Sequence, residues 1–335
     1  MLFCDMIDET QEFEPLPWMA NLKKDSIQVL LNAAPLPIRF QIFRDVLDDT
    51  TSEDLLLLQK NLRKHLPRRK KLAEQDSEGL WPIGNPTKGL NEVQIQTLQF
   101  IRQIESLHEL LELMVTGKQE RVTLGMREVI RYLAEKNLPL RFHHLTQAVF
   151  LAISFKLDGN PIIKDLMRSM LQSQNADGGW SSMDGEKESC IWSTQFFLWT
   201  MGHSESFRKN RVLQKGLAYL KANVLLEDKS LLLPGMQVWD TLITGTSGLS
   251  VMTGGTLRYL ETLQVSVGVQ RDRKVDKLID WLVENQLKTG LWPSIIGRDR
   301  QGDHLVTLRV LKVLKHFQTQ RVQEALDYEK NNSYE

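Results

Sequence analysis

Cysteine is scarce: only Cys4 and Cys190 occur in the 335 residues, far apart. That excludes a disulfide framework and suits a reducing compartment. Net charge is missing too, because 42 Lys and Arg balance 42 Asp and Glu. Nothing in the total therefore pulls the chain toward nucleic acid or another polyanion. Long apolar runs are absent: stretches such as Ala148–Ile153 fall far short of the ~18 residues that a membrane span needs. Met1–Glu14 carries five acidic residues and no basic one, which excludes a secretory signal. A cytoplasmic protein with no transmembrane segment and no nucleic-acid partner is expected. The one charged block, Arg63-Lys64-His65-Leu66-Pro67-Arg68-Arg69-Lys70-Lys71, has no interleaved aromatic residue and reads as a solvated helix face. Period-two alternation of useful length is also absent, so sheets are not expected.

Helical periodicity fills the space these absences leave. Glu120–Glu135 sets Val122, Met126, Val129, Ile130 and Leu133 along one stripe. Pro161–Gln174 opens with proline in the first turn and spaces Ile162, Leu166, Met170 and Leu171 in the same way. Asp272–Gln286 and His304–Phe317 repeat the pattern. The chain reads as all-α.

Three helices end on one phrase: Gln75 to Gly79-Leu80-Trp81, Gln174 to Gly178-Gly179-Trp180, and Gln286 to Gly290-Leu291-Trp292. Glycine permits the positive φ that closes a helix, and a tryptophan two residues later can fold back onto the helix just finished. The glutamine is suited to bonding exposed loop or helix-end backbone. A second phrase, with threonine in a comparable slot, is expected to open the partner helices at Thr146, Thr194, Thr241 and Thr307. The helices after Thr146 and Thr194 are apolar all round, as inner helices are. The unit is thus an outer amphipathic helix, a turn and a buried inner helix.

About six such hairpins are expected: Asn21–Asn32 with Pro37–Leu47, Leu55–Ala73 with Glu92–Ile104, Glu120–Glu135 with His144–Phe155, Pro161–Gln174 with Cys190–Met201, Phe207–Val224 with a helix from Val238 onward, and Asp272–Gln286 with His304–Phe317. In the fifth, Gly245, Gly248, Gly254 and Gly255 interrupt the inner helix. The expectation is one domain over 1–335: 1–16 irregular, 17–50 an N-terminal hairpin, 51–320 the turn-bearing repeats and 321–335 a tail.

The Gln…Gly-x-Trp segments resemble the QW repeats of squalene and oxidosqualene cyclases, found in degenerate form in protein prenyltransferase β subunits. Trp239-Asp240-Thr241 is similar to the Trp-Asp-Thr segment of triterpene cyclases. Pro35-Leu36-Pro37-Ile38-Arg39-Phe40-Gln41 resembles the opening of bacterial prenyltransferase/squalene-oxidase-repeat proteins. The resemblance spans about residues 28–318 and implies an (α/α)6 toroid, its inner helices lining a cavity for an apolar, isoprenoid-like molecule. Inner-helix N-termini would then ring one mouth of that cavity.

On that ring the resemblance points to Asp240, Asp303 and His304 for chemistry and to Cys190, Trp192, Phe196 and Trp239 for binding. Asp240, at an inner-helix start in the slot of the cyclase motif's final aspartate, is the first choice. No segment holds the full Asp-x-Asp-Asp-Thr, and in Asp303-His304-Leu305-Val306-Thr307 a leucine stands at the protonating position. Asp45 to Asp48-Asp49-Thr50 reads as a helix end and a cap. Glu188-Ser189-Cys190 with His304 is similar to a prenyltransferase zinc set, but with Glu for Asp; Cys190 reads better as a structural thiol, and no metal or cofactor is expected. Asp177-Gly178-Gly179 mimics a calcium loop but is explained by its turn, and His143-His144 reads as a polar helix entry. The alternative to a ligand cavity is a non-catalytic scaffold plugged by Phe150, Phe155, Phe196, Phe197 and Trp199. A carbohydrate-active (α/α)6 enzyme would need two carboxylates across the mouth, for which Asp240 and Asp303 are the candidates.

Overall fold

A computed structural model describes residues 16–84, 89–135, 138–182, 187–224, 239, 241–242, 255–269, 271–297 and 300–332. Helices follow one another as α1 (Ser26–Ala33), α2 (Leu36–Gln41) running into a π-type turn at Ile42–Val46, α3 (Glu53–Lys64), α4 (Leu66–Ala73), α5 (Glu92–Glu112), α6 (Glu120–Glu135), α7 (Phe142–Ser154), α8 (Pro161–Gln172), α9 (Ile191–Gly202), α10 (Arg211–Asn223), α11 (Gly255–Val265), α12 (Arg273–Glu284) and α13 (His304–Asn332). The chain is all-α; apart from isolated bridges such as Trp292–Asp303, the regular elements among the described residues are helical. No helix among them is long and apolar enough to cross a membrane. Two compact units form, one from Met1–Lys64 with Gln270–Glu335 and the other from His65–Val269.

Caps fix most boundaries. Asn160 and Asn210 accept from the backbone N–H of Ile162 and Val212 at 2.9 Å each, and Asp272 from Lys274 and Val275 at 3.0 Å. Asn91 and Gln94 close a reciprocal capping box on α5. The expected single helix Leu55–Ala73 is two, because His65 is extended and Pro67, which has no N–H to give, sits in the first turn of α4. Asp49 caps a turn, accepting from Thr51 and Ser52 at 3.1 and 2.9 Å. Asp45, by contrast, pairs with Lys312 of α13. The inner helix expected from Val238 lies later in the chain: Trp239, Thr241 and Leu242 are not helical, and α11 begins only at Gly255. Most of the intervening segment lies outside the described residues.

In the unit from His65 to Val269 the hairpins sort as their patterns require. α6, α8 and α10 bury one stripe each, such as Ile163, Met167, Met170 and Leu171 of α8. α5, α7, α9 and α11 pack against their neighbours in that order, and every residue of α9 is buried.

The three Gly-x-Trp turns share one geometry. Gly79, Gly178 and Gly290 have φ of +97°, +95° and +91°, which only glycine adopts at no steric cost. Each tryptophan is fully buried, and its Nε1 donates back to the helix just finished: Trp81 to Lys71 O at 3.0 Å, Trp180 to Met170 O at 2.7 Å, Trp292 to Leu282 O at 2.7 Å. Each glutamine donates forward into the next hairpin's outer helix as well as to its own turn. Gln75 Nε2 reaches Gly79 O and Arg121 O, both at 2.9 Å; Gln174 Nε2 reaches Gly178 O at 2.8 Å and Val212 O at 2.9 Å. The third turn reaches the segment that leads into α1. Gln286 Nε2 donates to Lys24 O at 2.9 Å and Ser26 Oγ at 2.8 Å, while its Oε1 accepts from Lys23 N at 2.6 Å.

The tryptophan rings reach the next outer helix too. A Cβ built on Gly125 of α6 would lie 2.6 Å from Trp81 Cζ3, and one on Gly216 of α10 would lie 2.5 Å from Trp180 Cζ3. Gly216→Ala tests this wedge, because alanine is the better helix former by about 1 kcal/mol. The expected outcome is the opposite sign, a loss of about 1–3 kcal/mol from overpacking, and Trp180→Ala should cost about 3–5 kcal/mol. Urea melts check both; a Gly216→Ala variant more stable than wild type would reject the wedge.

Candidate functional site

In the unit from His65 to Val269, Cys190 is the N-cap position of α9. Its N–H donates to Trp180 O at 2.8 Å, and its thiol is free and half-buried. Glu188, two residues earlier, is exposed. Among the described residues no three His, Cys, Asp or Glu side chains gather as a metal set. Asp177 Oδ1 accepts from Gly179 N at 3.0 Å and Ser189 Oγ at 2.6 Å, so the calcium-like fragment is a turn.

Trp192 and Trp239 meet. Both are buried, and their rings stack at 4.9 Å with 25° between planes. Trp192 stands in α9, whereas Trp239 lies outside any helix. Trp239 O accepts from Thr256 N at 3.0 Å, just as Trp180 O accepts from Cys190 N and Trp292 O from Asp303 N. Trp239 thus stands before α11 where the turn tryptophans stand before α9 and α13, and its ring goes to the inner helix. Phe196 is fully buried and stacks on Trp199 at 6.1 Å. Trp199 also meets Phe150 of α7 at 4.5 Å, and Phe150 stacks on His108 of α5 at 5.6 Å. The wall therefore continues from α5 through α7 to α9.

Asp303 and His304 belong to the other unit, at the start of α13. Asp303 Oδ1 accepts from Leu305 N at 2.8 Å and Val306 N at 2.9 Å, and Ser294 Oγ reaches its Oδ2 at 3.2 Å. That is a helix cap. His304 follows it, half-buried. Asp240, the first choice, lies outside the described residues.

The threonine slot has a structural task at two of its four positions. Thr194 Oγ1 accepts from Trp180 N at 2.8 Å and Thr307 Oγ1 from Trp292 N at 2.9 Å, tying turn to inner helix. Thr146 bonds within its own helix, to Phe142 O at 2.9 Å, and Thr241 opens no helix. The sequence reading passed over a group in α9 and α11: Gln195, Arg258 and Glu261, all buried. Polar residues scattered among apolar ones give a signal only once the helix is known to be buried on every side.

No family model matches the sequence, and no curated relative matches it. Among solved structures the chain is similar to the type II terpene cyclase MstE from Scytonema. With its substrate, geranylgeranyl dihydroxybenzoate, that protein matches at 12% identity and a TM-score of 0.28, over 76% of this chain and 96% of that one. With its product, merosterolic acid A, the values are 12%, 0.27, 78% and 97%. The apo form gives 11%, 0.28, 78% and 98%.

If Asp303 is a cap alone, Asp303→Asn should leave the melt within about 0.5 kcal/mol of wild type, and Asp303→Ala should lose about 1 kcal/mol. Equal losses in both would show that the charge itself matters.

His143 and His144 open α7, their rings 4.0 Å apart. Burial first, then the neighbouring His144 and Arg141, push His143 from 6.5 down to about 4. Its folded pKa lies below the unfolded one, so between these values the unfolded chain binds the additional proton. The contribution is complete above about pH 6.5 and is lost as pH falls toward 4. His143→Gln should flatten the fall in urea midpoint across that window; an unchanged slope would assign the acid sensitivity elsewhere.

Proposed function

We propose that the chain closes into an (α/α)6 toroid of the squalene-cyclase and prenyltransferase kind and holds an isoprenoid-like, apolar small molecule against the rings of its inner helices. The observation that carries this reading is the aromatic wall along α7 and α9: Phe150, Phe196, Trp199, and the Trp192–Trp239 stack. Such faces hold unsaturated chains by dispersion and tolerate positive charge on them. The fold part of this reading is supported by the turn after α12, which grips the segment leading into α1 much as the other two turns grip an outer helix.

Binding is the proposal, and protonation-initiated cyclisation is not. That chemistry needs a strong, desolvated carboxylic acid. No segment carries the full motif, and Asp303 serves as a cap. If turnover is found, Asp240 is the carboxylate to test first, by Asp240→Asn.

One observation favours the competing reading of a packed scaffold: every residue of α9 is buried, as in a filled interior. Native mass spectrometry of gently purified protein, alone and after incubation with geranylgeraniol or squalene, separates the two. A stoichiometric adduct that organic solvent removes is the expected result. Its repeated absence in all three samples would select the scaffold.

A further inference from the structure

From Leu55 to Ala73 the chain carries seven Lys and Arg and no acid. As sequence this block reads as a solvated face, but the structure sorts its residues further. On α3, Leu56, Gln59, Lys60, Arg63 and Lys64 are exposed, while Leu55, Leu58 and Leu62 are buried. On α4, in the other unit, Leu66, Arg69, Lys70 and Ala73 are exposed, and Lys71 turns inward to pair with Glu109 at 2.7 Å. Spacings of three and four residues put each exposed set on one side of its own helix. Acids stay at the margins: Glu53 and Asp54 lie in the first turn of α3, and Glu74 follows the end of α4.

Each face opens on a leucine and continues with cations, Lys60, Arg63 and Lys64 after Leu56, and Arg69 and Lys70 after Leu66. Leu66 is 73% exposed and Leu56 55%, the highest values of any large apolar side chain described. The five cations have no acidic partner among the described residues. One exposed leucine needs no explanation. The same arrangement on two successive helices, each time with cations one turn on, calls for a partner that uses both kinds of group. Nucleic acid uses only one, since no aromatic ring stands among the cations to stack on a base and leucine gains nothing from a phosphate backbone. A bilayer uses both: anionic headgroups attract the cations, and leucine side chains enter the acyl boundary beneath them.

We propose that the exposed faces of α3 and α4 each dock on the anionic surface of a phospholipid membrane, with the cations on the headgroups and Leu56 and Leu66 dipping below them. Each helix acts by itself in this. Neither face includes an inner-helix residue, so docking is independent of what the interior holds.

Co-sedimentation of the full chain with two kinds of vesicle tests this, one of phosphatidylcholine alone and one of phosphatidylcholine mixed with phosphatidylserine. Binding to the mixed vesicles should be at least ~10-fold tighter and should weaken as salt is raised. Lys60→Glu with Arg63→Glu, and separately Arg69→Glu with Lys70→Glu, should each weaken it by at least ~3-fold. Leu56→Ser with Leu66→Ser should weaken it by about 3-fold and leave the salt dependence in place. Thermal melts of all three variants should match wild type, because every position is exposed. If a charge-reversed variant does not fold, the same pair changed to Gln decides in its place. Equal binding to both vesicles, or binding to neither, overturns the proposal. So do charge variants that bind as wild type does, and a leucine variant that binds undiminished overturns the dipping of the leucines. Tighter binding to duplex DNA than to the mixed vesicles at the same salt would assign the cations to nucleic acid instead.

Discussion

The hydrogen bonds of three glutamine side chains hold each hairpin to its successor. Gln75, Gln174 and Gln286 sit where a helix has ended and its last carbonyls need partners, and each reaches its own turn and the next outer helix together. The tryptophan two residues past each turn glycine completes the joint. Its indole N–H bonds backward, and in the first two turns its ring presses forward against a helix glycine. A helical hairpin cannot bury its outer stripe alone, so stability comes from such joints between neighbours. The spacing Gln to Gly to Trp is therefore a joint written into the chain, and its repetition sets the order of the helices.

That joint also explains how the inner helices come to hold their side chains. With the outer helices locked by the turns, α9 is surrounded on every side and can carry tryptophan, phenylalanine and an unpaired amide in one short segment. The threonines at 194 and 307 add a second tie, from tryptophan backbone to inner helix. Rigid outer supports and a buried, chemically mixed inner wall are what a ligand site needs, because polar groups discriminate only when their positions are fixed.

Much of this was legible in the sequence. Caps at Asn160, Asn210 and Asp272 and prolines in first turns mark boundaries by local chemistry, and the helices there fall within a few residues of expectation. The Gly-x-Trp turns were legible because positive φ and an indole at fixed spacing admit few other readings. The forward reach of the glutamines was not, since it depends on a helix brought close only by folding. Asp240-Thr241 looked like an inner-helix start because carboxylate and hydroxyl are good caps, yet Thr241 lies outside any helix and α11 begins at Gly255. The candidate site was less legible for the same reason. The burial of Arg258 and Glu261 shows only once their helix is placed, and the capping bonds of Asp303 only once α13 is.

The joint made by Gln286 has a consequence in time. Its partners Lys23, Lys24 and Ser26 leave the ribosome some 260 positions before Gln286 does. Each internal joint, by contrast, links segments a few tens of residues apart, as Gln174 does with Val212. Hairpins joined locally can thus dock as they emerge, whereas the segment leading into α1 must wait for Gln286. Contacts of such long sequence separation form late, and until this one does, the segment leading into α1 is open to a chaperone or a stray neighbour.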